Sequence, residues 1–160
     1  RGQGLLDWQA ASSTEHLDAL WAARRALSPA LRSLAPDKIN EDVVVPVSRI
    51  PDLLQQVQAL ADAARIPVVC FGHAGNGNLH VNLMFDRSDP QQAAAAEHCL
   101  HAIFERVLKL GGTLSGEHGI GIAKRPFMAT ALDPVTLDLM RALKAQFDPE
   151  GLLNPGKLLP

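Results

Sequence analysis

Residues 68–85 read VVCFGHAGNGNLHVNLMF, and the way this stretch alternates decides the fold. Its first part belongs to the apolar run IPVVCFG (66–72), which ends in a cluster of glycine and asparagine. Beyond that cluster NLHVNLMFD (78–86) alternates strictly, so Leu79, Val81, Leu83 and Phe85 fall on one face of a strand and His80, Asn82 and Met84 on the other. The stretch predicts two strands joined by a glycine turn. One face packs on helices, and the other carries polar groups.

Upstream, SRIPDLLQQVQALADAARI (48–66) repeats apolar residues at Leu53, Leu54, Val57, Leu60 and Ala61, the spacing of an amphipathic helix. Before it, NEDVVVPVS (40–48) concentrates β-branched residues ahead of a proline, as a short strand does. Residues 14–33, TEHLDALWAARRALSPALRS, form a first helix with Ser13 or Thr14 as N-cap and an irregularity near Ser28 and Pro29.

Downstream, PQQAAAAEHCLHAIFERVLKL predicts a helix over about 90–110, stopped by Gly111-Gly112. A glycine-studded loop, GGTLSGEHGIGIAKRPFM, leads to a last helix from about Asp133 to Phe147 and the tail DPEGLLNPGKLLP. The order α, β, α, β, β, α, loop, α predicts an α+β fold: a ferredoxin-like antiparallel sheet with helices on one face, plus C-terminal helices. The opposite face of the sheet is then free to hold a site.

The chain has 160 residues, 47% of them hydrophobic, which suits one domain with a real core. Its charge of −2 comes from 17 acidic and 15 basic residues with no basic run, so the footprint of a nucleic-acid binder is missing. Cys70 and Cys99 have no CxxC spacing and read as small buried hydrophobes of a reducing compartment. No apolar run approaches the roughly 20 residues that span a bilayer. The first residues, RGQGLLDWQAASSTEH, lack the pattern of a signal peptide. The expected location is cytoplasmic, or at a membrane surface through partners. Because the chain begins with Arg1, we expect it to be part of something longer.

His73 lies in the glycine turn and His80 on the following strand, so a hairpin can bring both imidazoles near one point. In SGEHGIG, Glu117 and His118 are adjacent and flanked by glycines that let backbone come close to a ligand. Two imidazoles and a carboxylate with an open position would be a catalytic metal set. Spacing alone leaves a second reading open, in which these are tight turns that happen to contain polar groups. His16, His98 and His101 fall on helices and read as solvated or capping residues.

Taken together, GHAGNGNLHVN, GGTLSGEHGIGIAKRPFM and DPEGLLNPGKLLP resemble the C-terminal portion of the FAD-linked 2-hydroxy-acid dehydrogenases. That group includes the glycolate oxidase subunit, D-lactate dehydrogenase and D-2-hydroxyglutarate dehydrogenase, flavoproteins of the vanillyl-alcohol-oxidase type. The resemblance covers nearly the whole chain in the same order, and NEDVVVPVSRIPDLL fits as well. It implies that residues 1–160 are a substrate- and metal-binding domain, with the N-terminal FAD-binding domain outside this sequence. The isolated chain is then expected to hold little FAD and to turn nothing over.

The resemblance further implies that His73, His80 and Glu117 coordinate a divalent ion such as zinc or manganese, and that His118 is the general base. It implies Arg24, in LWAAR, as the cation for the carboxylate of a small 2-hydroxy acid, with Asn82 and Lys38 as further substrate contacts. Gly119, Gly121 and Asn154 would lie near the flavin. This chain has Asn76 where many relatives have Asp in GHxGDGN, which removes one acidic contact and none of the three ligands. The side chain of the 2-hydroxy acid and the electron acceptor stay open. The competing expectation is a stand-alone metal-binding or interaction module without redox activity. A sheet face left uncovered by the missing domain predicts self-association as a homo-oligomer.

Overall fold

A computed structural model describes residues 8–160, so the leader reading of residues 1–7 lies outside it. Three strands form one antiparallel sheet, β1 (Asp37–Val44), β2 (Val68–His73) and β3 (Asn78–Phe85), in the order β1-β3-β2. The helices are α1 (Thr14–Ala30), α2 (Ile50–Ala64), α3 (Pro90–Lys109), α4 (Met128–Ala131) and α5 (Pro134–Phe147). The sequence β1-α2-β2-β3-α3 with β3 in the middle is the ferredoxin-like plan without its last strand. In that place a single antiparallel bridge pairs Val44 with Thr113 along the outer edge of β1.

The alternation read from the sequence is what the sheet uses. Leu79, Val81, Leu83 and Phe85 are buried together with Val43 against Leu53, Val57 and Ala61 of α2 and Cys99, Ile103, Phe104 and Val107 of α3. Helix starts follow the capping logic. Ser13 accepts a hydrogen bond from the His16 amide at 3.2 Å, and Asp89 accepts one from the Gln91 amide at 2.8 Å. Cys99 is buried and Cys70 half-buried, and burial pushes the Cys70 thiol up to about 11.

Two features differ from the sequence reading, and the irregularity expected near Ser28 and Pro29 is present. β1 starts three residues earlier than expected, at Asp37, and ends at Val44, because the chain turns at Pro46 into a single 3-10 turn, Val47–Arg49. Pro29 sits inside the last turn of α1, where it ends the α-helix and hands over to the 3-10 turn Leu31–Ser33. α1 buries none of its residues and borders the polar face of the sheet at one end. Its C-terminal end lines one groove with Lys38 and Met84 and another with Phe71 and Gly72. On α5, Val135, Leu139, Leu143 and Phe147 form an exposed stripe at intervals of four residues.

Candidate functional site

The hairpin register sets two of the candidate ligands. His73 pairs with Asn78 and Phe71 with His80, so His73 and His80 stand on the same face on neighbouring strands. The turn between them is pinned to β1, since Val45 donates its amide to the Gly77 carbonyl at 3.1 Å. Gly77 has φ 77°, and a Cβ there would sit 1.9 Å from the Val45 carbonyl oxygen, so only glycine fits.

Glu117 arrives from the loop after the Val44–Thr113 bridge. Its Oε1 lies 3.1 Å from His80 Nε2 and 3.5 Å from His73 Nε2. One ligand atom from each of the three residues lies within 4.8 Å of the others, a set of two imidazoles and one carboxylate that fits a divalent ion with open positions. His118 stacks on His80 with ring centroids 5.3 Å apart, and Phe71 closes the other side of His80 at 5.7 Å. The sequence-predicted ligands and base thus converge on one corner of the polar face.

Arg24 lines a groove of about 310 Å³ with Arg25, Leu27, Ser28, Phe71 and Gly72, and through Phe71 and Gly72 that groove adjoins the His80 corner. Asn82 shares the face but is fully buried. Its Nδ2 donates to the Val69 carbonyl at 3.1 Å and the His80 carbonyl at 3.4 Å, while Oδ1 has no partner. Lys38 is not brought to the triad. It lies opposite Met84, roughly 13 Å along the strand from His80, and donates to the Ser28 hydroxyl at 3.0 Å. Gly119 and Gly121 both adopt left-handed backbone, at φ 76° and 58°. The tail that carries Asn154 reaches the same loop, because Leu158 donates its amide to the Gly121 carbonyl at 2.9 Å.

Two residues that sequence reasoning passed over organise the corner. Asp42, opposite His80 on β1, is completely buried, and its Oδ2 accepts from the amides of Gly116, Glu117 and His118 and from the Ser115 hydroxyl at 2.7–3.1 Å. Burial opposes its ionisation, but those four donors outweigh it and hold the carboxyl well below the usual carboxylate range. Lys124 is buried too, 3.3 Å from Glu41 and donating to the Asp42 carbonyl at 3.0 Å. Burial pushes the Glu41 carboxyl up, and the Lys124 ammonium pulls against it. A signal was present: Glu41-Asp42 puts two acids inside a β-branched strand, where acids are disfavoured.

Residues 1–158 match the family described as FAD linked oxidases, C-terminal domain. The glycolate oxidase subunit GlcD of Bacillus subtilis is 41% identical over 150 residues, which cover 94% of this chain and 32% of that protein. A probable mitochondrial D-lactate dehydrogenase of Danio rerio is 34% identical over 99% of this chain and 32% of its own length. The D-2-hydroxyglutarate dehydrogenase of Stutzerimonas stutzeri is 34% identical over 96% of this chain and 34% of its own length. The chain spans about a third of the length of the curated relatives it matches. By a match that runs through almost every residue, the chain belongs to the family of C-terminal domains of FAD-linked oxidases.

Proposed function

We propose that this chain supplies the substrate- and metal-binding portion of an FAD-dependent dehydrogenase that oxidises a small D-2-hydroxy acid to the 2-oxo acid. The observation that carries the reading is the convergence of His73, His80 and Glu117 with His118 stacked beside them. The names of the relatives support the reaction class, since each acts on a 2-hydroxy acid by name.

When bound, a divalent ion held by His73, His80 and Glu117 would supply Lewis acidity toward the hydroxyl and carboxylate oxygens of the substrate, and FAD, held mainly by a domain outside residues 1–160, would supply the hydride acceptor. The chain's own groups do the rest. His118 takes the hydroxyl proton on an imidazole nitrogen, a common task of a histidine in general base catalysis. The Arg24 guanidinium, at the groove beside Phe71 and Gly72, holds the substrate carboxylate through two N–H donors. Gly119 and Gly121, which bring no side chain, let backbone approach the flavin. Asn82 and Lys38 take no part in this reading, because the Asn82 amide is enclosed and Lys38 lies well along the strand.

The test is to express the polypeptide with its FAD domain and follow flavin bleaching with a panel of D- and L-2-hydroxy acids, with and without chelator. Bleaching by D-2-hydroxy acids that is lost on chelation supports the reading. Bleaching untouched by chelator removes the metal from it, and no bleaching by any 2-hydroxy acid removes the substrate class.

A further inference from the structure

We propose that Asp42 is the positioning residue of this site, the group that fixes Glu117 and His118 in place by holding their backbone. The Val44–Thr113 bridge delivers the loop 115–118 to Asp42, and Lys124 fixes the Asp42 main chain from the other side. One buried oxygen then takes three consecutive amides and a hydroxyl. Three successive N–H groups aimed at one carboxylate leave the loop no freedom to rotate. The side chains of Glu117 and His118 are therefore projected toward His73 and His80, which come from the neighbouring strands.

The groups that the Asp42 carboxylate holds are backbone amides and the Ser115 hydroxyl, with His118 Nδ1 4.0 Å from its Oδ2. The loop is packed so closely on Asp42 that Gly116 has no room for a side chain. A Cβ there would meet Asn78 Nδ2 at 2.4 Å and Asp42 Oδ1 and Val44 Cγ2 at 2.8 Å. By this geometry the acid, the glycine and the ligand form one unit. Buried hydrogen-bonded carboxylates of this kind are how proteins orient groups that must act on a ligand.

The test uses the full 160-residue chain and compares wild type, Asp42→Asn and Gly116→Ala by amide hydrogen exchange and by competition for Zn2+ against a chromogenic chelator. The Zn2+ arm rests on the proposed ligand reading, whereas the exchange arm does not. Asp42→Asn is expected to speed exchange of the Gly116, Glu117 and His118 amides by about tenfold, the factor an ordinary lost hydrogen bond gives, with the β3 amides unchanged. Zn2+ affinity is expected to fall roughly 10–100-fold. If those three amides exchange at the wild-type rate in Asp42→Asn, the proposal is overturned, whatever the metal does. If wild type takes up no Zn2+ while Asp42→Asn still releases the amides, the ligand reading falls and the positioning role stands. Should Asp42→Asn fail to fold, Gly116→Ala decides with the carboxylate in place: loop release supports the proposal, and wild-type exchange with wild-type Zn2+ affinity overturns it.

Discussion

The two faces of β3 are built by different physics. Toward α2 and α3, Leu79, Val81, Leu83 and Phe85 are dry, and their contribution scales with the apolar area they remove from water. Toward the glycine loops, Asn78 and His80 meet Asp42 and the SGEHG segment while Asn82 holds the Val69 and His80 carbonyls, and what matters there is whether each polar group has a partner. The first face tolerates change of shape at a cost in stability. On the second, a change of one atom redirects a loop, so that face holds the chemistry.

Lys124 sits at the seam between the faces, and removing it should break the comparison most severely. Lys124→Met leaves Glu41 buried without its cation, at an expected cost of about 3–5 kcal/mol at neutral pH, read from urea unfolding. A carboxyl whose folded-state value is raised binds more protons folded than unfolded, so stability falls as pH rises through that window. The Lys124→Met deficit should therefore shrink as pH is lowered toward the unfolded glutamate value of about 4.3. A deficit that stays constant with pH would separate Glu41 from Lys124.

Next in size, Leu83→Ala empties a site on the dry face and should cost about 2–5 kcal/mol, with Zn2+ affinity unchanged in the folded protein. If affinity falls with it, the two faces are coupled and the contrast drawn above is wrong. The smallest effect on stability belongs to Glu117→Gln. Its side chain is 49% exposed, so the expected change is under about 0.5 kcal/mol, while Zn2+ affinity should fall by more than the roughly 100-fold that loss of an outer partner costs.

The dry face was legible because period-two alternation needs only neighbouring residues to be read, and so was the hairpin, since glycine and asparagine mark a turn locally. His73, His80, Glu117 and His118 were legible as residue types but not as a cluster. Spacing could not show that the Val44–Thr113 bridge brings residue 117 beside residue 80, and the resemblance to known flavoproteins supplied that link. Asp42 was harder still. An acid inside a strand is a local oddity, and only the return of the loop some seventy residues later gives it donors. The place of α1 at the border of the polar face escaped for the opposite reason: its apolar residues have helical spacing, yet Leu17, Trp21 and Leu27 stay exposed, so periodicity did not reveal what adjoins the helix. Lys38, expected beside the substrate carboxylate, lies well along the strand from His80, and its partner Ser28 also lines the groove of Arg24.

We propose that this chain by itself assembles a divalent metal site from His73, His80 and Glu117. Metal content by elemental analysis, after equilibration with Zn2+ and removal of excess, tests it most directly on wild type and His80→Ala. One equivalent of zinc is expected in wild type and close to none in His80→Ala, with both proteins folded. Equal zinc in the two, or none in either, would contradict it.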